Sequence, residues 1–162
     1  MKTLILMRHA KSDWDDPYLS DHARPLNRRG RRSATALGHW LRMRNFLPDQ
    51  ILCSSAIRAQ ETYARLKLPK MPDLLDSLYM AEPDGMLAVL HRATGDTVLM
   101  IGHNPGIAEF AQHLVTKPPD HERFDDYPTG ATLIARFDIA DWSELRPGSG
   151  TPLFFIIPRE LN

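Results

Sequence analysis

The sequence predicts an α/β fold, a three-layer α/β/α sandwich with a central, mostly parallel sheet. Short apolar runs typical of strands alternate with segments whose apolar residues recur at helical spacing, and this alternation indicates βαβ units. Two of the apolar runs, residues 3–7 and 97–101, lead directly into histidine-containing clusters. The length of 162 residues is ordinary for one domain, so we expect a single domain over residues 1–162.

The first half of the chain predicts strand, helix, strand and helix in turn. Strands are expected over residues 3–7 and 50–53, with a helix over residues 27–45 between them. Ser54 and Ser55 offer an N-cap for the next helix, which continues through Leu66. The inner face predicted for the first helix consists of Ala34, Leu37, Trp40, Leu41 and Met43.

The second half predicts two more helices and several strands. Leu74, Leu75 and Leu78 are expected in a short edge strand, and a helix opens at residues 82–84 with an inner face that includes Met86 and Leu90. Residues 97–101 form the next predicted strand. Pro105 suits the first turn of the helix that follows. The predicted buried face of that helix consists of Ile107, Phe110, Ala111 and Leu114.

The last third begins with a long polar loop over residues 117–130. Loops of this length in compact domains are often functional, and this one is a candidate lid. Residues 131–137 and 153–157 are predicted to form late strands, paired like a hairpin.

Composition narrows the class of protein. The chain has 20 basic and 20 acidic residues, and this balance argues against a dedicated nucleic-acid binder. The segment over residues 24–32 is locally basic, which favours a solvated helix start over a nucleic-acid patch. Arg8 and Lys11 interrupt the apolar run at the amino terminus, so no signal peptide is expected. The sequence has no apolar run of about 20 residues, so no membrane partner is expected.

The single cysteine, Cys53, permits no intrachain disulfide and suggests a reducing, cytoplasmic setting. It lies in an apolar, strand-like run. A buried, inert thiol is therefore favoured over a nucleophile.

Four residues form the candidate catalytic constellation: Arg8, His9, Arg58 and His103. His9 and His103 follow predicted strands, and in an open parallel sheet ligands bind outside the carboxyl ends of the strands. Arg58 falls early in a helix, where free N–H groups and the helix dipole favour an anion. The four groups are expected to meet at a site of about the size of a phosphoryl group.

These residue types suit phosphoryl transfer. Two guanidinium groups neutralise and orient the phosphoryl oxygens. A neutral His9 imidazole attacks phosphorus to give a phosphohistidine, which water then hydrolyses. The arginines disfavour the charged imidazolium of His9, and His103 donates to an equatorial oxygen. This chemistry requires no metal and no cofactor.

Other uses of these side chains find less support. Metal ligation by His9 and His103 lacks a His-Glu-x-x-His motif or a cysteine cluster, and a serine nucleophile lacks a Gly-x-Ser-x-Gly motif. The remaining histidines are assigned to surface or packing roles. They are His22, His39, His91, His113 and His121.

Three segments resemble the motifs of the histidine phosphatase superfamily, the phosphoglycerate-mutase-like enzymes. Residues 6–10 resemble its Arg-His-Gly signature, residues 53–62 its second motif and residues 98–106 its third, in the correct order. The resemblance implies that His9 is the nucleophile and that Arg8, Arg58 and His103 bind the phosphate. It also makes Ser12 a further substrate contact.

Residues 21–26, with Gly30 and Leu78-Tyr79, resemble the short SixA-type branch, the phosphohistidine phosphatases. Larger members of the family carry a glutamate that acts as general acid. Here Glu82 and Asp76 are candidates, but neither lies clearly at the motif position. A site without a strong acid would suit the N–P bond of phosphohistidine better than an alkyl phosphate.

The expected partner is therefore a histidine-phosphorylated protein, because a short chain with few insertions leaves the site open to a protein side chain. Two alternatives stay open at this point. One is a small-molecule phosphomonoesterase that uses the same pocket and acts on small phosphate esters. The other is a phosphate-binding or interaction module without turnover.

Overall fold

The computed structural model describes residues 1–161, and a single six-stranded sheet lies at its centre. The strands are β1 (Lys2–Arg8), β2 (Gln50–Ser54), β3 (Pro72–Leu75), β4 (Thr97–Gly102), β5 (Thr132–Phe137) and β6 (Thr151–Ile156). The helices are α1 (Arg28–Met43), α2 (Ile57–Leu66), α3 (Pro83–His91) and α4 (Gly106–Leu114). The strand order is β3-β2-β4-β1-β5-β6, so β1 and β4 are central neighbours.

The sheet is mostly parallel, as predicted. The first four strands are parallel to their neighbours among themselves. β5 is antiparallel to both β1 and β6, so the two late strands form the expected antiparallel pair.

Alternate residues of β1 face opposite layers, since successive side chains of a strand point to opposite faces. Leu4 and Leu6 pack in a core that includes Leu90 of α3 and Leu114 of α4. Their neighbours Ile5 and Met7 belong to a second core that draws on α1 and α2. This arrangement confirms the predicted three layers, with α1 and α2 on one face of the sheet and α3 and α4 on the other.

The first helix agrees with its prediction except at Met43. Asn27 caps α1, and its side-chain oxygen accepts a hydrogen bond from the Gly30 N–H at 2.8 Å. Met43 was expected on the inner face, but it is 72% exposed. At about 100° per residue it lies roughly 120° around the helix from the buried Leu37, so its placement on the inner face was wrong.

The start of the second helix also differs from its prediction. The N-cap residue is Ala56, while Ser54 is the last residue of β2 and pairs with Leu75 of β3. Sheet pairing therefore keeps the chain extended past the predicted cap. Leu78 was expected in the edge strand, but it lies buried in a short 3₁₀ turn, Asp76–Leu78, after β3 has ended.

The long loop over residues 117–130 is anchored to the sheet. Phe124 and Tyr127 are buried within it. The Tyr127 hydroxyl donates to the Leu6 carbonyl at 2.5 Å and accepts from the Leu133 N–H at 3.1 Å. These bonds hold the end of the loop against β1 and β5. Among the described residues, none of the helices is long and apolar enough to span a membrane.

Candidate active site

The register of β1 and β4 brings the two predicted histidines together. Arg8 at the end of β1 pairs with Gly102 at the end of β4. The backbone N–H of His9 donates to the Gly102 carbonyl at 3.1 Å, and the ring centroids of His9 and His103 lie 5.1 Å apart. Both rings are buried, so the two imidazoles lie side by side at the carboxyl ends of the strands.

Two hydrogen bonds assign the tautomer of His9. Its Nδ1 lies 2.7 Å from the Ala10 carbonyl oxygen, which can only accept, so Nδ1 carries the proton. The Arg58 Nε–H donates to His9 Nε2 at 3.3 Å. Nε2 is therefore the unprotonated nitrogen, and its lone pair faces a guanidinium group.

Burial and nearby positive charge keep this imidazole neutral. The pKa of His9 is lowered to about 3, chiefly by burial and further by the charges of Arg8 and Arg58, while the Ala10 carbonyl opposes the shift. The sequence predicted the direction and named the arginines as the cause. Desolvation is the larger cause, because the ring lies almost entirely inside the protein.

Arg58 lies in the first turn of α2, where several contacts fix its guanidinium. One terminal nitrogen donates to the Asp21 carbonyl at 2.7 Å, and the other donates to the Asp21 carboxylate at 3.1 Å. One turn later, the Thr62 hydroxyl donates to the Arg58 carbonyl at 2.7 Å and accepts from the Ala10 N–H at 3.0 Å. Thr62 thus ties the start of α2 to the segment that carries His9.

His103 and Arg8 each have a buried nitrogen without a protein partner in the described chain, namely His103 Nδ1 and Arg8 Nε. His103 Nε2 lies 2.7 Å from the Ser54 hydroxyl, and Arg8 donates from a terminal nitrogen to the Tyr127 carbonyl at 3.2 Å. Burial lowers the pKa of His103 to about 3. The unpartnered Arg8 Nε–H is a buried donor, which costs free energy, and a phosphoryl oxygen would accept from it. When His103 carries its ring proton on Nδ1, a second phosphoryl oxygen would accept from that nitrogen.

Comparison with known proteins identifies the family. The family model of the histidine phosphatase superfamily (branch 1) matches residues 4–77. An uncharacterized protein of Mycobacterium tuberculosis strain H37Rv is 34% identical over 161 residues, which cover 94% of this chain and 100% of the relative. The chain belongs to the histidine phosphatase superfamily.

Solved structures place this histidine phosphatase near the SixA proteins. A structure assigned as the phosphohistidine phosphatase SixA of Nakamurella multipartitia has a TM-score of 0.81 and 29% identity, covering 97% of this chain and 96% of that one. A protein histidine phosphatase SixA in complex with tungstate has a TM-score of 0.80 and 24% identity, with 99% of each chain covered. At 24% identity, the similarity to the second structure shows a shared fold.

For three predicted residues of this histidine phosphatase, the described structure shows no bond to the cluster of Arg8, His9, Arg58 and His103. Ser12 is buried and forms an isolated backbone bridge with Leu26. Glu82 is the N-cap residue of α3 and exposed, and Asp76 is exposed in the 3₁₀ turn. Within residues 1–161, no hydrogen bond joins the side chains of these three residues to the cluster. Their roles stay predictions.

The chemistry of the residue types in the sequence did not predict three members of the site. Asp21 bonds Arg58, and the Tyr79 hydroxyl donates to the same carboxylate at 2.5 Å. The Tyr79 ring stands nearly perpendicular to the His103 ring, with centroids 5.5 Å apart. Ser54 meets His103, although it was predicted only as a cap. Asp21 and Tyr79 occur in segments that resemble the SixA branch, and that resemblance was the only signal for them.

The surroundings of Asp21 favour its ionised form. Its pKa lies below the usual range because of the Tyr79 hydrogen bond and the Arg58 guanidinium. Asp21 is therefore an ionised acceptor at neutral pH. Cys53 is buried, as predicted, and burial raises the pKa of its thiol to about 12.

Proposed function

We propose that this histidine phosphatase hydrolyses phosphohistidine on a protein and that His9 Nε2 carries the phosphoryl group between the two steps. The observation that carries the proposal is the tautomer of His9. Its proton is held on Nδ1 by the Ala10 carbonyl, and its Nε2 lone pair faces the Arg58 guanidinium, with the charge of Arg8 nearby. An uncharged nitrogen beside guanidinium groups suits in-line attack on an anionic phosphorus.

The two steps balance without a metal or cofactor. In the first, the Nε2 lone pair bonds to phosphorus while the P–N bond to the substrate imidazole breaks, and that imidazole takes a proton from water. In the second, water attacks phosphorus and loses a proton, and Nε2 leaves with its electron pair. Arg8 and Arg58 offset the phosphoryl charge, and His103 Nδ1 donates to one oxygen.

The carboxylates around the site favour phosphohistidine over alkyl phosphates. Asp21 is ionised and bonded to Arg58, so it has no proton to give. Glu82 and Asp76 are exposed. An imidazole leaving group can be protonated by solvent before it departs, whereas an alkoxide needs a proton from a positioned acid. Likeness to the Nakamurella multipartitia SixA structure supports the same substrate class.

Phosphate release from a histidine-phosphorylated protein, in the presence of a metal chelator, tests the proposal. Turnover by the native chain should survive chelation and disappear in His9→Ala. Native turnover that stops with the chelator, or that persists in His9→Ala, would contradict the mechanism.

A small-molecule phosphomonoesterase is the second candidate, and the position of Glu82 favours it. Glu82 lines a groove with Pro105 and Gly106, which follow His103 closely in the chain. If Glu82 acts as an acid there, Glu82→Gln should slow esters with poor leaving groups more than esters with good ones. Asp76→Asn removes the other candidate acid, and its rates on the same esters are the matched comparison. A native chain that binds phosphate but releases none from either class would favour a binding module.

A further inference from the structure

The exposed face of α1 carries a cationic stripe that the proposed chemistry does not use. Together with Arg65 of α2, the stripe lines a groove of about 570 Å³, called the basic groove here. The arginines that line it are Arg28, Arg31, Arg32, Arg42 and Arg65, and His39 lies among them. Thr35 and Ala36 also line the groove.

The five arginines of the basic groove lack acidic partners. Within residues 1–161 they form no ion pair, whereas Lys2, Arg24, Arg58 and Arg123 elsewhere each pair with an aspartate. The sequence of α1 contains no aspartate or glutamate. Like charges three and four residues apart destabilise a helix. The arginines of α1 therefore repel one another, and a bound anion would relieve this repulsion.

The basic groove is preformed and starts next to the active site. A Cβ on Gly38 would lie 2.3 Å from the Leu66 carbonyl oxygen, so α1 and α2 are in close contact. The Asn27 N–H, just before α1, donates to the carbonyl of Lys11, two residues after His9. From Arg28 to Arg42 the groove runs about 21 Å along the helix. An extended peptide of about six residues spans that distance.

We propose that the basic groove docks an acidic segment of the phosphorylated protein whose phosphohistidine enters the active site. The inference rests on the proposed function and adds how the protein substrate is recognised. Carboxylates match the guanidinium fork and accept two hydrogen bonds from it. The described lining includes no Phe, Tyr or Trp on which bases could stack, and the chain as a whole is neutral, so a protein segment fits better than a nucleic acid.

A binding experiment tests the groove without turnover. The probe is a fluorescent peptide of ten glutamates, and its anisotropy is followed with the native chain and with Arg28→Glu/Arg32→Glu/Arg65→Glu. Arg31 and Arg42 stay unchanged because they donate to the Leu26 and Leu66 carbonyls. The control, Arg92→Glu/Lys117→Glu/Arg136→Glu, makes the same change in net charge at exposed positions outside the groove.

The native chain and the control should bind the peptide, and the groove variant should bind it about tenfold more weakly at low salt. Added salt should reduce the difference. Equal binding by all three proteins, or equal losses in both variants, would overturn the proposal. If a mixed-sequence RNA of equal charge displaces the probe far better than unlabelled polyglutamate does, the groove is a nucleic-acid site and the proposal is wrong.

A turnover experiment then links the groove to the substrate. Two phosphohistidine peptides carry the same core and either a glutamate-rich or a glutamine-rich flank. The native chain should show about tenfold higher kcat/KM for the acidic peptide, and the groove variant should show no preference. Both proteins should hydrolyse p-nitrophenyl phosphate equally. An acidic-flank preference that persists in the groove variant would overturn the proposal.

Hydrolysis of p-nitrophenyl phosphate but of neither peptide would count against the proposed function. In that case, the peptide-binding experiment alone decides whether the basic groove binds acidic segments.

Discussion

At the floor of the active site His9, Arg58 and His103 are at most 5% exposed, whereas at its rim Asp21 and Met80 are 45% and 48% exposed. The floor residues follow β1 and β4 or begin α2, so sheet register and helix packing set their positions. The rim residues lie on loops and turns, and side-chain bonds to the floor hold them.

This difference in burial suggests that floor residues take part in the proposed reaction, whereas rim residues position them. Burial at the floor depresses the imidazole pKa values and leaves buried nitrogens of Arg8 and His103 that a phosphoryl group can contact. The rim supplies an ionised carboxylate that orients Arg58 from outside. We therefore expect changes at the floor to abolish turnover and changes at the rim to reduce it by graded amounts.

The largest expected effect follows loss of the proposed nucleophile, His9. His9→Ala should reduce phosphate release by about 10⁴-fold or more, because both steps require Nε2. Incubation with a labelled substrate should leave an acid-labile phosphoryl group on the native chain and none on the variant. His113→Ala, an exposed histidine at the end of α4, should keep native turnover. A labelled phosphoenzyme in His9→Ala would move the nucleophile elsewhere.

Arg58→Ala should lower kcat by about 10² to 10³-fold, the loss typical of one charged donor at a transition state. The substitution also removes the hydrogen bond to His9 Nε2. Initial rates on a phosphohistidine peptide measure the effect, and Arg92→Ala is an exposed arginine control. A change in KM alone would show that Arg58 binds the substrate without aiding its reaction.

The neutral histidines of the floor should make stability depend on pH. Their folded pKa values of about 3 lie below the unfolded value of about 6.5, so the unfolded chain binds more protons between these values. Stability is full above about pH 6.5 and falls as the pH drops. Each histidine should cost about 2 kcal/mol between pH 6.5 and 5.

Urea unfolding of the native chain and of His9→Asn at both pH values measures this loss. The variant should lose less stability than the native chain, and exposed His113→Asn should behave like the native chain. Equal losses in all three proteins would show that His9 is not the group that titrates.

At the rim, Asp21→Asn should lower kcat about tenfold, since an amide oxygen without charge replaces the ionised partner of Arg58 and Tyr79. KM should not rise, because the lost carboxylate is a like charge to the phosphoryl group. Asp15→Asn changes an exposed aspartate of the same loop and should have no effect. A raised KM with unchanged kcat would contradict a positioning role.

The smallest effect is expected at Glu82. Glu82→Gln should leave phosphohistidine turnover within about twofold, because the leaving imidazole needs no positioned acid. Rates on a phosphohistidine peptide and on an alkyl phosphate measure this. A large loss on both substrates would make Glu82 the general acid and favour the small-molecule phosphomonoesterase.

Periodicity predicted most of the elements because their apolar faces repeat locally. Ile107, Phe110 and Leu114 are buried as predicted, and the antiparallel pair of β5 and β6 was expected from two apolar runs. The errors lie at element ends. Met43 and the cap of α2 were misplaced because the end of a helix depends on what packs against it and on how far the preceding strand stays paired.

By itself, the sequence determined the α/β layers and the meeting of Arg8, His9, Arg58 and His103, because strand ends and helix starts are local features that a parallel sheet brings to one edge. Only the tertiary structure decided the contacts of Asp21, Tyr79 and Ser54, which join residues 37 to 58 positions apart. It also decided the main cause of the lowered His9 pKa, whose direction the sequence predicted. Burial sets that pKa, and burial depends on the packing of the whole chain.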